Sequence, residues 1–279
     1  MIHSSSRLAF AAALLLAVPA RAVPTAAFGK VLVVVLENSD YDQAAAQPFL
    51  KKLAKRGALL TNYRGIGHPS QPNYVAMIAG DAMGVDGDGR VDLDGAQLGD
   101  LLEAKGLNWA VYAEGYPGSC FLGARSGDYV RKHVPFLSFT SVQNNPARCA
   151  RVKDAAAFDD DAAARTLPAY SMYVPDLIDD GHDTSVAAAD RWLSRFLGPR
   201  LDDANFMKGL LVVVTFDEDE GGSDGRVFTV MLGDGVRPGG VSDASYDHVS
   251  LLRTIEKGLG LGDLGRGDAS ASAIDGVWK

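Results

Sequence analysis

The segment GHPSQPNYVAMIAGD, residues 67–81, places a serine between two prolines, directly before an apolar run that predicts a helix. Pro69 and Pro72 stiffen the loop, and Ser70 is expected where the helix begins. One interpretation is structural, because a serine at such a position commonly caps the free N–H groups of a helix. The other is chemical, because the same N–H groups bind anions, and a serine held there could attack a phosphoryl group. These residues alone leave both interpretations open.

Acidic side chains follow three apolar runs that predict strands. Glu37 follows KVLVVVL, Asp176 follows AYSMYVP, and the pair Asp217 and Glu218 follows GLLVVVTF. Because the carboxyl ends of parallel strands meet at one edge of a sheet, where ligands bind, we expect these acids to converge. Clustered carboxylates repel one another, so their convergence predicts a cation or a shared proton among them.

Three histidines lie close in sequence to the serine or to an acid. His68 is two residues before Ser70, His182 lies in DDGHD, and His248 lies in YDHVS. Imidazole nitrogens and carboxylate oxygens are common ligands of Zn²⁺ and other divalent ions. One or two ions beside the serine would lower its pKa and neutralise phosphate oxygens.

The first 22 residues predict a secretory signal peptide. A basic region ends at Arg7, an apolar stretch runs from Leu8 to Val18, and the small-residue sequence ARA closes the segment. The apolar stretch is too short to span a bilayer, which takes about 20 apolar residues. Residues 23–279 are therefore expected to form one exported domain, released near Ala22 into the periplasm or the medium.

The expected mature chain is acidic. Without the two basic residues of the signal segment it keeps 25 of the 27 basic side chains against 35 acidic ones, a net charge of about −10. Such a balance argues against a nucleic-acid partner, and the absence of a second long apolar segment argues against stable membrane insertion. The oligomeric state is not indicated.

The two cysteines, Cys120 and Cys149, predict a disulfide, because an even pair in an exported chain is usually oxidised. Two cysteines without a nearby histidine do not make a cysteine-type zinc site.

Strand-like and helix-like segments alternate along the chain. This order predicts an α/β domain with a mainly parallel central sheet flanked by helices. Residues 116–166 are the least regular part and are expected to leave the sheet, joined by the disulfide. The stretch GVDGDGRVDLDG, residues 84–95, partly matches an EF-hand calcium loop, but Arg90 breaks the ligand alternation and no glutamate stands at the closing position. A solvated turn is the favoured interpretation.

Five segments together resemble a known family. In chain order they are VVVLENSDYD, GHPSQPNYVAMIAGD, DDGHD, VVVTFDEDEGG and YDHVSLLRTIEKGLGL. They are similar to the phosphoesterase family of acid phosphatases and phosphatidylcholine-type phospholipases C, within the alkaline phosphatase superfamily, over about residues 30–262. The resemblance implies an alkaline-phosphatase-like fold and a secreted, metal-dependent phosphoesterase that acts on a small phosphate ester.

The resemblance also implies residue roles. Ser70 would be the nucleophile that forms a phosphoserine, Asn73 would donate to a phosphate oxygen, and His68 lies in the same catalytic loop. The implied metal ligands are Glu37, Ser70, Asp217 and Glu218 at one position, with Asn38 beside them, and Asp176, His182 and His248 at a second. The segment YVRKHVPFLSF adds Lys132 and His133 as candidate contacts to the substrate phosphate, with a surface role equally open.

Three features depart from the family pattern. The late strand ends in Asp-Glu where the superfamily usually has Asp-His, so the ion could be Zn²⁺, Ca²⁺, Mg²⁺ or Mn²⁺, in one or two copies. The spacing from Asp176 to His182 is longer than usual, which leaves Asp180 and Asp183 as alternative ligands. The chain is short beside the phospholipases C, which favours a phosphatase-like member.

Other function classes remain as alternatives. One is a phospholipase C-type phosphodiesterase, and another is a metal-free serine esterase, although the G-x-S-x-G motif is absent. A third is a non-catalytic exported protein whose acids bind metal.

Overall fold

The structure of this chain is a computed structural model that describes residues 28–221 and 224–279. The expected signal peptide and its cleavage site lie outside the described residues. The strands are β1 (Lys30–Leu36), β2 (Ala58–Leu60), β3 (Tyr63–Arg64), β4 (Trp109–Ala113), β5 (Arg125–Ser126), β6 (Tyr129–Val130), β7 (Val152–Asp154), β8 (Tyr170–Val174), β9 (Leu210–Phe216), β10 (Thr229–Leu232), β11 (Gly240–Ser242) and β12 (Tyr246–Asp247). The α-helices are α1 (Tyr41–Ala46), α2 (Pro48–Arg56), α3 (Ser70–Ala79), α4 (Leu98–Ala104), α5 (Thr140–Gln143), α6 (Pro146–Cys149), α7 (Ala156–Ala163), α8 (Val186–Asp202), α9 (Ala204–Met207), α10 (His248–Gly258) and α11 (Gly267–Ser270), and two 3₁₀ segments span Arg131–His133 and Pro135–Ser138.

In the described part of the chain, eight strands form the central sheet, in the order β11-β2-β10-β9-β1-β8-β4-β7. The strands β1, β8 and β9 at its centre are almost entirely buried, as their continuous apolar runs predict for strands covered on both faces. Every neighbouring pair is parallel except those of β10, which runs antiparallel to β9 and β2. The prediction of a mainly parallel sheet flanked by helices is therefore confirmed.

The helices α3 and α10 pack on each other, and α2 packs on α8. In α2 the apolar side chains lie on the buried face, and the helix ends at Gly57, as its sequence pattern predicts. Among the described residues, no helix is long and apolar enough to cross a bilayer.

Two parts of the chain differ from the sequence-based expectation. Residues 116–166 do not stay away from the sheet, because Val152–Asp154 returns to its edge and pairs with β4. The segment ALLTNYRG, residues 58–65, has a pattern that predicts one short strand, but it forms two, and the second of these, β3, pairs with β12 outside the main sheet. The predicted disulfide between Cys120 and Cys149 is present.

Candidate active site

Carboxylates gather around Ser70 at the carboxyl edge of the central strands. Glu37 follows β1, while Asp217 and Glu218 follow β9, and the last residues of these two strands are paired. The Ser70 hydroxyl donates to Glu37 Oε2 at 3.2 Å and lies 3.5 Å from Glu218 Oε1. Parallel pairing of two strands that end at the same level thus brings these predicted residues together.

Ser70 is the first residue of α3, and the residue at the N-cap position is Pro69. Within the described residues, the hydrogen bonds of the Ser70 hydroxyl are to side chains and none is to a backbone N–H of the helix, and the residue is 1% exposed. The structural interpretation of this serine as a helix cap is therefore wrong. One turn along the helix, Tyr74 donates to Glu37 Oε1 at 2.5 Å, so Glu37 is held by two hydroxyl groups from the same helix face.

The carboxylates at this edge are forced towards their protonated forms. Burial raises the pKa of Glu37 well above its ordinary value, and the nearby Asp217 and Asp180 raise it further. Burial likewise raises the pKa of Asp217 to about 8, with an added contribution from Glu218. Burial raises the pKa of Asp180 to about 8 as well. Like charges at this density require protons or a cation between them.

His133 lies behind Glu37, between that residue and Asp180. Its ring stacks on Tyr74 at a centroid distance of 4.8 Å, with Nε2 3.3 Å from Glu37 Oε1 and Nδ1 3.5 Å from Asp180 Oδ2. Burial lowers the pKa of His133 well below its ordinary value, which favours the neutral form of the ring. Glu37, His133 and Asp180 each offer a ligand atom within 4.8 Å of the others.

Buried oxygens at this edge fit a bound cation. Within the described ranges, Asp217 Oδ2, Asp180 Oδ2 and Asn38 Oδ1 are buried without a hydrogen-bond partner. The Asn38 backbone N–H donates to Asp217 Oδ1 at 3.3 Å, which places this asparagine against the carboxylate group. Carboxylate and amide oxygens with one neutral imidazole are suitable ligands for a divalent ion.

Asp176 lies in a different acidic group, with Glu114 and Asp179. Its backbone N–H donates to Glu114 Oε2 at 3.1 Å, and its Oδ1 accepts from the N–H groups of Ile178 and Asp179. Burial raises the pKa of Glu114 to about 7. Asp176 thus shapes the start of the loop after β8, and Asp180 in the same loop is the residue that reaches the Glu37 group.

The two histidines assigned with Asp176 also have protein partners. His248 Nε2 lies 2.6 Å from the Asp217 carbonyl oxygen, and its Nδ1 lies 3.1 Å from the Tyr63 hydroxyl. His182 Nδ1 lies 2.7 Å from Asp183 Oδ1. Among the described residues, His248 thus contacts the Asp217 backbone and His182 contacts Asp183, and neither histidine belongs to the acidic group that contains Asp176.

His68 and Asn73 both contact the carboxylate of Glu218. His68 contacts Glu218 Oε2 at 3.1 Å and Asp219 Oδ1 at 2.6 Å. Asn73 Nδ2 donates to Glu218 Oε2 at 3.1 Å. Both side chains thus position the carboxylate of Glu218 from the loop that carries Ser70.

Lys132 reaches Ser70 from the 3₁₀ segment. Its Nζ lies 3.4 Å from Ser70 Oγ and 2.8 Å from Asp88 Oδ2. Sequence reasoning missed Asp88, which belongs to the stretch interpreted as a solvated turn, and it missed Tyr74 and Asp219. The position of Tyr74 four residues after Ser70 was a usable signal, because such residues share a helix face. Asp88 had no comparable signal.

Solved structures of low sequence identity share the fold. One is a protein in the alkaline phosphatase superfamily from Vibrio parahaemolyticus, with a TM-score of 0.64 and 12% identity over 91% of this chain and 72% of that one. Another is a phosphonate monoester hydrolase from Silicibacter pomeroyi, with a TM-score of 0.59 and 10% identity over 88% of this chain and 76% of that one.

Curated relatives are more similar in sequence. A probable acid phosphatase of Kluyveromyces lactis is 39% identical over 91% of this chain and 63% of its own length. A phosphatidylinositol-3-phosphatase of Mycobacterium tuberculosis is 34% identical over 93% of this chain and 85% of its own. The chain spans less than two thirds of the length of the fungal acid phosphatases that it matches. The profile of the Phosphoesterase family matches residues 38–262, and the chain belongs to that family.

Proposed function

We propose that this chain hydrolyses phosphate esters, with Ser70 as the nucleophile. The observation that carries the proposal is the hydroxyl of Ser70, which donates to a buried carboxylate from the first residue of α3. The positive end of that helix favours an anionic phosphoryl group at the same place. The names of the relatives, acid phosphatase and phosphatidylinositol-3-phosphatase, support phosphate esters as the substrate class.

The reaction would proceed in two displacements. Ser70 Oγ attacks phosphorus, the bond from phosphorus to the ester oxygen breaks, and the Ser70 proton passes through the ionised form of Glu37, whose Oε2 accepts it, to the leaving alcohol. Water then attacks the phosphoserine, the bond from phosphorus to Oγ breaks, and one water proton returns to Oγ as phosphate leaves. Lys132 and His133 are proposed to stabilise the phosphate oxygens and the Glu37 carboxylate, respectively, from the 3₁₀ segment.

One or two divalent ions complete the proposed site. Glu37, Ser70, Asp217 and Glu218 would hold the first, with Asn38 beside them. For a second position the geometry favours Asp180 and His133 with Glu37, rather than the set of Asp176, His182 and His248. A bound ion would lower the pKa of the serine hydroxyl and neutralise charge on the phosphate.

The wider setting is also a proposal. Residues 23–279 would act as one exported domain after cleavage near Ala22, on a small phosphate ester. A metal-free serine esterase is less well supported, because in the described part of the chain the polar contacts of the Ser70 hydroxyl are to Glu37, Glu218, Asp217 and Lys132, with no histidine among them. A phospholipase C-type diesterase would use the same residues on a different substrate.

Replacement of the nucleophile tests the proposal. Ser70→Ala removes the covalent route, so we expect kcat on p-nitrophenyl phosphate to fall on the order of 10³-fold or more. The melting temperature should fall only modestly, because the change removes one buried hydroxyl whose hydrogen bonds are to side chains. Ser171→Ala is the matched control, since it removes another buried hydroxyl, in β8, away from the carboxylate group. A folded Ser70→Ala protein that keeps more than about a tenth of wild-type kcat would refute the nucleophile, because loss of a single transition-state donor usually costs more.

A further inference from the structure

We propose that the ion pair of Lys132 and Asp88 makes this site select phosphomonoesters over phosphodiesters. Lys132 would contact the transferred phosphoryl group, and Asp88 would act as the positioning residue that holds the ammonium over Ser70. The inference rests on the proposed function, since it assumes that phosphate esters react at Ser70.

The ammonium group of Lys132 is held at the nucleophile. Nζ donates to Asp88 Oδ2 at 2.8 Å and lies 3.4 Å from Ser70 Oγ, while the side chain is only 16% exposed. A phosphoryl group that Ser70 attacks would therefore lie within contact distance of this ammonium group. In the described part of the chain, no other lysine or arginine has a hydrogen bond to the Ser70 hydroxyl.

Asp88 connects the lysine to the helix that carries the serine. Its Oδ1 accepts from the Gln71 backbone N–H at 3.0 Å, in the first turn of α3, while Oδ2 takes the ammonium. One carboxylate thus fixes Lys132 relative to the start of the helix. The segment around Asp88 is itself anchored, because Val85 is buried and Leu93 exchanges backbone hydrogen bonds with Ser138 and Thr140.

The charge of the substrate decides what this ammonium can select. A phosphomonoester carries close to two negative charges at neutral pH, because its second pKa is about 6, whereas a diester carries one. The attraction between charges grows with their product, so an ammonium at contact distance favours the dianion. A diester also places an esterified oxygen where a monoester offers a charged one. Lys132 therefore contributes more to monoester turnover than to diester turnover.

The experiment compares kcat/KM for p-nitrophenyl phosphate and bis-p-nitrophenyl phosphate. For Lys132→Gln we expect a loss of about 10²-fold with the monoester, as for other lost transition-state donors, and a loss at least tenfold smaller with the diester. Asp88→Asn should lose about three- to tenfold with the monoester, mainly through KM, because its amide oxygen can still accept from Gln71 N–H while the charge on Lys132 loses its anchor. Asp86→Asn, the same charge change in the same exposed stretch, should match the wild type with both substrates.

A double variant separates positioning from a structural role. Asp88→Asn should cost no further activity in the Lys132→Gln background, because a positioning residue acts only through the group it holds. A full additional loss there would overturn the role of Asp88, as would wild-type or higher monoester activity in the single variant. An unchanged monoester-to-diester ratio in Lys132→Gln would overturn the selectivity. Failure of the proposed function is distinct, since only then would Ser70→Ala still turn over both substrates.

Discussion

Asn73 ties the serine loop together through five hydrogen bonds. Its Oδ1 accepts from the N–H groups of Ile66 and Gly67, and its Nδ2 donates to the carbonyl oxygens of Gly67 and Pro69 and to Glu218. The amide is fully buried. Its hydrogen-bonding capacity is thus largely used by the protein, and a donation to phosphate would be shared with these acceptors.

Asn73→Ala should therefore lower both stability and turnover, and it should lower stability more than Ser70→Ala does. Loss of the amide leaves buried backbone groups of the loop without partners, which we expect to cost about 3 kcal/mol of unfolding free energy. Turnover should fall as well, because the loop that carries Ser70 and the Glu218 carboxylate lose a common support. Thermal unfolding and p-nitrophenyl phosphate kinetics measure the two effects. Asn62→Ala is the control, since its amide makes one exposed hydrogen bond, and an Asn73→Ala protein with wild-type melting temperature would contradict the expectation.

The positions of site residues could be predicted where those residues directly adjoin a strand or helix that the sequence pattern indicates. Glu37, Asp217 and Glu218 directly follow buried strands, so their meeting follows from parallel pairing alone. Asp180 and Asp88 depend on the path of loops, which sequence periodicity does not describe. The sequence therefore favours Asp176, the acid nearest the end of β8, whereas the path of the loop brings Asp180 to the Glu37 group.

Helix α3 is buried on all sides. Every residue from Ser70 to Ala79 is buried, and the sequence of the helix accordingly lacks the alternating polar face of an amphipathic helix. It ends at Gly80, whose φ of 82° lies in the left-handed region. A side chain at Gly80 would also overlap Asp268 Oδ1, and Asp268 is fixed by accepting from the N–H groups of Leu264 and Arg266.

Gly80→Ala should consequently destabilise the protein more than an alanine replacement at a glycine that has the same left-handed backbone but free space around it. Gly106 provides that comparison, because its φ is 74° and nothing lies within 4 Å of the added methyl group. We expect about 1–2 kcal/mol from the left-handed backbone at either position and a further 1–3 kcal/mol from overlap at Gly80. Chemical denaturation measures the difference, and equal losses in the two variants would show that Asp268 moves aside freely.

The positions of helices and strands could be predicted from the periodicity of apolar residues. The direction of each strand and the identity of the edge strands of the sheet could not. The run GLLVVVTF indicates a buried strand, and β9 is one. Nothing in the sequence of β10 shows that it runs against β9, because a buried antiparallel strand has the same apolar pattern. The strand β7 has only three residues, so its pairing with β4 gave no recognisable pattern.

Ionisation of the buried acids should set how the stability of the folded protein depends on pH. Burial raises the pKa of Asp180, Asp217 and Glu256 to about 8 and that of Glu114 to about 7. In the unfolded chain these groups lose their protons near pH 4, so between about pH 7 and pH 9 the folded state binds more protons than the unfolded one. Its stability must therefore fall as the pH rises through this range. Histidines offset this loss of stability only slightly. The buried His248, whose pKa is lowered to about 4, is neutral above pH 7 in the folded state, and an unfolded histidine is mainly neutral there as well.

A divalent cation should reverse part of that loss, because it binds the ionised forms of the site carboxylates in the folded state only. After exhaustive chelation we expect no turnover and a melting temperature that falls between pH 7 and pH 9. Addition of Zn²⁺, Ca²⁺, Mg²⁺ or Mn²⁺ in turn should identify an ion that restores turnover, and the gain in melting temperature should be larger at pH 9 than at pH 7. Glu256→Gln is the control: it should flatten the pH dependence equally with and without the ion, because Glu256 is paired with Arg253 rather than with the site. If the chelated protein keeps full turnover and elemental analysis finds no metal, the carboxylates around Ser70 share protons instead, and the metal-dependent mechanism fails.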